Sequence, residues 1–248
     1  MGRENVDVLI AGNGGREHAI AWKLSQSPSL GKLYIAPGNA GTAEIGQNIP
    51  LTDTNLITDF AKEMEIDLVV IGPEAFLADG LVDKLKDAGI NAIGPTANTA
   101  RLESSKAWSY RFMERHGIPQ AKAQIFETTQ QALDHMRTVD PASIVLKADG
   151  LCGGKGVLLP GNLEDANNYI YDVMEAKTLG EAGKRLLISE RLFGPELSLV
   201  AFVSGSESII LPNARDYKRI GNGDIGPNTG GMGAFAPIIL YMEDNLPN

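Results

Sequence analysis

The chain has 248 residues, 43% hydrophobic and 21% charged, enough to bury one large core or two to three small ones. Its net charge of −9 offers no basic field for nucleic acid, which excludes that class of partner and matches the acidic balance of cytoplasmic enzymes. No apolar run approaches the roughly 18 residues of a membrane span, "MGRENVDVLIAGNGG" lacks the features of a secretory leader, and Cys152 has no partner for an internal disulfide.

The first hundred residues alternate short apolar runs with amphipathic stretches. "VDVLIA" (6–11), "KLYIA" (32–36), "DLVVIG" (67–72) and "NAIG" (91–94) read as strands buried on both faces, with helices at 16–26, 55–65 and 79–88 between them. This rhythm gives βαβ units and an open parallel sheet, whose ligands gather at the carboxyl ends of the strands. The loops there, "GNGGREH", "APGNAGTA" and "GPEAFLADG", form one rim.

One helix is expected over 96–116, ended by Gly117 and Pro119. "AKAQIF" is then a strand, Thr128 caps a helix running through Arg137, and "SIVLKA" and "GVLLP" are strands flanking the glycine loop as a hairpin. Asn162 caps a further helix over 163–175, "RLLISERL" is a strand, and "ELSLVAFVSG" with "SESIIL" makes another hairpin. From residue 213 the chain is polar and glycine-rich. The fold class is thus an N-terminal α/β open parallel sheet followed by an α+β unit.

Neither common phosphate motif fits. In "AGNGGREHA" the third position of a dinucleotide fingerprint holds Glu17, and the second strand ends in Ala36-Pro37-Gly38 without an acidic residue for a ribose. That glycine turn reads equally as a tight βα turn and as an anion site at a helix start. In "KADGLCGGKGV" (147–157), Asp149 stands where a P-loop has its first glycine, and Gly156 where it has Ser or Thr. A glycine hairpin can be a mobile surface turn or a lid whose amides close over phosphates. Lys147, on an otherwise apolar strand, favours the lid, because a buried ammonium needs an anion. His18, His116 and His135 lack metal-ligand spacing, and no metal ligand is assigned.

Six segments occur in order: "GNGGREHAIAWKL", "APGNAGTA", "GPEAFLADGLVD", "GPT…ARLESSKAW…F…HGIP", "LKADGLCGGKGV" and "DIGPNTGGMGAFAP". Together they resemble the phosphoribosylamine–glycine ligase family of ATP-grasp enzymes over nearly all of residues 6–237. The resemblance implies a Rossmann-like substrate-binding domain over 1–103. It also implies a partial ATP-grasp A subdomain over 104–122 with 193–248, and an ATP-grasp B lid over 123–192. It implies that ATP phosphorylates glycine and that 5-phosphoribosylamine attacks the glycyl phosphate, with Mg²⁺ or Mn²⁺ assisting. An alternative is a nucleotide- or substrate-binding fragment without catalysis, because the stretch that holds the metal ions in the family is not matched here.

By that resemblance, Lys106 and Lys147 contact ATP phosphates, and Gly150, Gly153, Gly154, Lys155 and Gly156 cover them. Glu190 takes the adenine amino group, the backbone at Leu192 the ring edge and Glu196 the ribose. Lys147, Asp216, Lys218 and Arg219 are the expected catalytic set, the last three on a loop, either as substrate groups or as a solvated turn. Gly14, Gly15, Asn39, Gly41, Thr42 and Glu74 are expected to meet phosphoribosylamine, and Asn228, Thr229, Gly230 and Gly231 to meet substrate. Glu243 and Asp244 in the tail are not read as metal ligands. The partners expected are small molecules alone, and the oligomeric state is not legible.

Overall fold

The computed structural model describes residues 5–223 and 225–238, so Asp224, Glu243 and Asp244 lie outside the described residues. The chain divides into two compact units, one of residues 1–152 with 156–189 and one of residues 153–155 with 190–248.

The first unit opens on a parallel sheet of β1 (Val6–Gly12), β2 (Leu30–Pro37), β3 (Gln47–Asn48), β4 (Leu68–Ile71) and β5 (Asn91–Ile93), in the order β3-β2-β1-β4-β5. The alternation along β1 explains why both faces are covered. Leu9 and Ala11 enter one core with Ile57 and Ala61 of α2 (Thr54–Glu63) and Leu81 and Leu85 of α4 (Leu81–Asp87). Val8 and Ile10 enter the opposite core with Ala21 of α1 (Gly15–Leu24). "NAIG", expected to be buried on both faces, is instead an exposed edge strand, with Ile93 45% exposed. The two-residue β3 was not foreseen, and "GPEAFLADG" is not wholly loop: Glu74–Ala78 forms α3.

Strand order reverses across β1 and β4, which places a crevice outside their carboxyl ends. Glu17 fills it. The side chain is 2% exposed and accepts a hydrogen bond from the Gly14 amide at 2.7 Å and one from Arg16 Nε at 2.8 Å. A Cβ added at Gly72 would run into the Glu17 carboxylate, so the closeness of strand and side chain requires glycine. Gly72→Ala is expected to destabilise the chain by about 2 kcal/mol in urea unfolding, the usual cost of overpacking a filled site.

The expected helix over 96–116 is two helices, α5 (Ala97–Ser104) and α6 (Lys106–Arg115). Ser105 breaks the run with extended backbone (φ −141°, ψ 106°), and its hydroxyl accepts from the Trp108 amide at 3.1 Å. A second sheet follows in the order β6-β9-β7-β8, from β6 (Ala123–Phe126), β7 (Ile144–Ala148), β8 (Val157–Leu158) and β9 (Leu186–Glu190). β7 and β8 pair antiparallel, Lys147 opposite Val157, so the glycine segment is a hairpin turn. α7 (Thr129–Met136) and α8 (Leu163–Ile170) share a core with this sheet through Ala132, Met136, Ala166 and Ile170. Thr128 caps α7 and Asn162 caps α8, which continues as a π-turn over Tyr171–Glu175.

The second unit holds two antiparallel hairpins, β10 (Ala201–Ser204) with β11 (Glu207–Ile210) and β12 (Arg215–Gly221) with β13 (Ile225–Phe235). Every residue of β10 and β11 is exposed, Phe202, Val203, Ile209 and Ile210 among them. Among the described residues, no helix is long and apolar enough to cross a membrane.

Candidate functional site

A cavity of about 370 Å³ in the first unit is lined by Glu103, Lys106, Tyr110, Gln120, Lys147 and Ser189 together with apolar side chains. Lys106 is the first residue of α6, and Lys147 lies on β7. The Lys106 ammonium donates to the Gly150 carbonyl at 3.1 Å. Burial, and after it the neighbouring Lys106 charge, pushes the Lys147 ammonium below its ordinary pKa. Two cations in one apolar cleft, one of them half-buried, make a site that a polyanion would stabilise. Ser189, 2% exposed, adds to the same wall a hydroxyl that has no hydrogen-bond partner among the described residues.

What holds the two lysines in one cleft is a residue that sequence reading passed over. Asp149, 6% exposed, accepts at Oδ1 from the Ser105 hydroxyl (2.9 Å) and the Ala107 amide (2.8 Å). Its Oδ2 accepts from Arg185 Nε at 2.8 Å and lies 2.5 Å from Arg185 Nη2. Its backbone carbonyl accepts from the Lys106 amide at 3.0 Å. One carboxylate therefore ties the start of α6, which carries Lys106, to the end of β7, which carries Lys147. The legible signal was its position: an aspartate where a phosphate loop would have glycine.

The glycine hairpin is divided between the units. Gly150 and Gly156 belong to the first; Gly153, Gly154 and Lys155 belong to the second, with Gly153 (φ +55°) and Gly154 (φ +81°) making a left-handed tip. The Cys152 thiol donates to the Gly150 carbonyl at 3.2 Å, an internal contact of the turn.

A second cavity of the first unit, of about 410 Å³, lies at the carboxyl end of the parallel sheet and is lined by Arg16, Gly72, Glu74, Leu77, Pro95, Ala100 and Glu103. Arg16 Nη2 stands 3.8 Å from Glu74. The expected rim residues differ in what they can offer a ligand. Asn39 binds the Asn13 carbonyl through Nδ2 (2.9 Å) and accepts the Thr42 amide (3.0 Å), joining two of the loops. Thr42, expected to touch substrate, is fully buried, and its hydroxyl bonds Asn39 and Asn48 at 2.8 to 2.9 Å; it shapes the loop from within. The Gly14 amide is occupied by Glu17, whereas Gly15 opens α1, and Gly41 packs against the His18 ring.

In the second unit, Asp216, Lys218 and Arg219 lie on β12, not on the loop expected; the glycine-rich partner segment pairs with them as β13, Arg219 opposite Asn228. Lys218 Nζ lies 3.1 Å from Glu196 and 3.5 Å from Asp216. The hydrogen bond to Glu196 and the charges of both acids raise its pKa, outweighing burial, so Lys218 acts as a cation and not as a proton acceptor near neutral pH. The Glu196 carboxylate, expected on a ribose, is thereby engaged. Thr229 donates to the Lys218 carbonyl (2.8 Å) and accepts from the Gly231 amide (3.0 Å), with Gly230 between them. Glu190 ends β9, and Leu192 is 69% exposed. Among the described residues no group of three or more His, Cys, Asp or Glu could hold a metal, so the divalent ion implied by the resemblance finds no ready cage there.

Residues 6–103 match the phosphoribosylglycinamide synthetase N domain, and residues 104–247 its ATP-grasp (A) domain. The chain is 45% identical over 241 residues to the phosphoribosylamine–glycine ligase of Escherichia coli K12, covering 96% of this chain and 56% of that protein. It is 45% identical over 243 residues to the human trifunctional purine biosynthetic protein adenosine-3, covering 24% of it. The crystal structure of phosphoribosylamine–glycine ligase from Thermotoga maritima superposes with a TM-score of 0.81 at 36% identity, over 94% of this chain and 56% of that one. The chain thus spans about half the length of the single-activity relatives it matches. With the Lys106–Lys147 cleft inside the ATP-grasp match and the Arg16–Glu74 rim inside the N-domain match, the chain belongs to the phosphoribosylglycinamide synthetase family.

Proposed function

We propose that this chain carries the nucleotide and amino-sugar sites of an ATP-dependent carbon–nitrogen ligase joining glycine to 5-phosphoribosylamine. In this reading residues 1–103 bind the amino sugar, 104–122 with 193–248 belong to the ATP-grasp A subdomain, and 123–192 are its B lid. The observation that carries it is the pair of ammonium groups in one cleft, with Lys147 depressed by burial and by Lys106. ATP transfers its γ-phosphoryl group to the glycine carboxylate, the resulting acyl phosphate is attacked by the amine, and phosphate leaves as the amide forms. Phosphoryl transfer of this kind asks for positioning and charge neutralisation, not a protein nucleophile, and the lysines supply the charge. A divalent ion, when bound, would neutralise phosphate oxygens further.

Calorimetric titration of the purified chain tests the nucleotide site. ATP and ADP are expected to bind at least tenfold more tightly than AMP, because the lysines answer the outer phosphates. Equal affinity for all three would overturn the assignment.

A further inference from the structure

Among the described residues, Glu103 alone lines both the lysine cleft and the sheet-end cavity of the first unit. It sits one residue before the end of α5, exposed to solvent, where the linings of the two cavities meet. The other carboxylates near these sites are occupied: Glu17 by the Gly14 amide and Arg16, Glu74 by Arg16, Asp149 by Arg185. Among the described residues the Glu103 side chain has no hydrogen bond or ion pair, although Arg16 lines one of its cavities and Lys106 and Lys147 the other.

We propose that Glu103 is the group that receives the amine of the sugar phosphate, holding its N–H and accepting its proton during amide formation. This rests on the function proposed above, and it names a residue for a step that function requires. Bond formation must occur where the activated carboxylate, on the phosphate side, meets the amine, on the sugar side. The nitrogen lone pair attacks the carbonyl carbon, the C–N bond forms, the C–O bond to the phosphoryl group breaks, and inorganic phosphate departs. The nitrogen then carries one proton too many, and a carboxylate within hydrogen-bond reach takes it. An unpaired carboxylate at the shared wall suits that place, whereas the lysines are cationic and Glu74 is engaged by a guanidinium.

The test uses the whole chain and two probes that differ only in the amine. Ribose 5-phosphate is titrated in tetramethylammonium buffer, where it stays a sugar phosphate, and in ammonium buffer of the same pH and ionic strength, where it condenses to 5-phosphoribosylamine. The native chain is expected to bind the amine form about tenfold more tightly. Glu103→Gln is expected to keep its affinity for ribose 5-phosphate and its ATP affinity, while the preference for the amine falls to twofold or less. Retained ribose 5-phosphate binding shows that the variant is folded, and Glu103→Ala repeats the measurement without an amide in place. Full preference in both variants, or a native chain that binds the sugar phosphate without preference, overturns the role of Glu103. A native chain that binds neither probe overturns the amino-sugar site itself, and the inference with it.

Discussion

Asp149→Ala is expected to destabilise the chain by about 3 kcal/mol, more than the glycine substitution at position 72, and to weaken ATP binding at the same time. The stability loss has a specific origin. The carboxylate is buried and serves four donor atoms: the Ser105 hydroxyl, the Ala107 amide and two nitrogens of Arg185. Alanine leaves a part-buried guanidinium without its counter-charge, and removing one member of such a pair costs roughly 3–5 kcal/mol. Two further donors lose their acceptor, each at about 1 kcal/mol or more where water cannot replace it. The lower figure allows for Arg185, which is 37% exposed and can recover some hydration. The binding loss follows because the start of α6, freed from β7, no longer presents Lys106 beside Lys147. Urea unfolding and ATP calorimetry on the same protein check both. A double-mutant cycle with Arg185→Ala should return a coupling above about 1 kcal/mol. A loss under about 1 kcal/mol with unchanged ATP affinity would mean that this network positions nothing.

Lys147→Met should act in opposite directions on binding and on stability. ATP affinity is expected to fall about a hundredfold, close to 3 kcal/mol, as for truncation of one partner in a buried charge pair. Without ligand the variant should be more stable at pH 7 by about 1 kcal/mol, because methionine fills the same space without a desolvated charge facing Lys106. The sign against pH follows from the depressed pKa. Below the folded-state value, both folded and unfolded chains carry the proton, and the folded state bears the full penalty. Between that value and the ordinary lysine pKa of 10.5 the unfolded chain binds more protons, so native stability rises with pH and the advantage of the variant shrinks. ATP affinity of the native chain should fall over the same interval, as the ammonium that meets the phosphates is lost. Thermal unfolding at several pH values, alongside calorimetry, reads both trends. A variant less stable than the native chain at pH 7 would show that Lys147 is already neutralised within the protein.

The parts of this fold legible in the sequence are those fixed by local chemistry. Alternation along "VDVLIA" and "KLYIA", the Thr128 and Asn162 caps and the hairpin around the glycine loop all follow from residues a few positions apart. What escaped was set at a distance. The break at Ser105 depends on Asp149, 44 residues later, capturing a hydroxyl and an amide that a continuous helix would have oriented elsewhere. "NAIG" reads as an interior strand by composition, but among the described residues nothing pairs beyond it, and a sheet edge leaves no trace in four apolar-rich residues. "DYKR" has the polarity of a loop, yet β12 finds hydrogen-bond partners in a segment whose glycines argue against strand.

The same division holds for the site. Lys147 stood out because a cation on an apolar strand needs an anion, and Lys106 came only from the family resemblance, whereas Glu103 resembles any charge on a helix surface until two cavities are seen to share it. Thr42 shows the converse: a polar residue in a glycine-rich loop suggests a ligand contact, but its hydroxyl is used inside the loop.

The hairpin of β10 and β11 bears on how this protein behaves in a tube. Phe202, Val203, Ile209 and Ile210 are each more than half exposed, so the ribbon presents greasy side chains to water. Two strands alone are barely stable, and such a ribbon recruits other surfaces, including its own copies. Raising the protein concentration is therefore expected to shorten the time for which preparations of this chain stay clear, as light scattering would record.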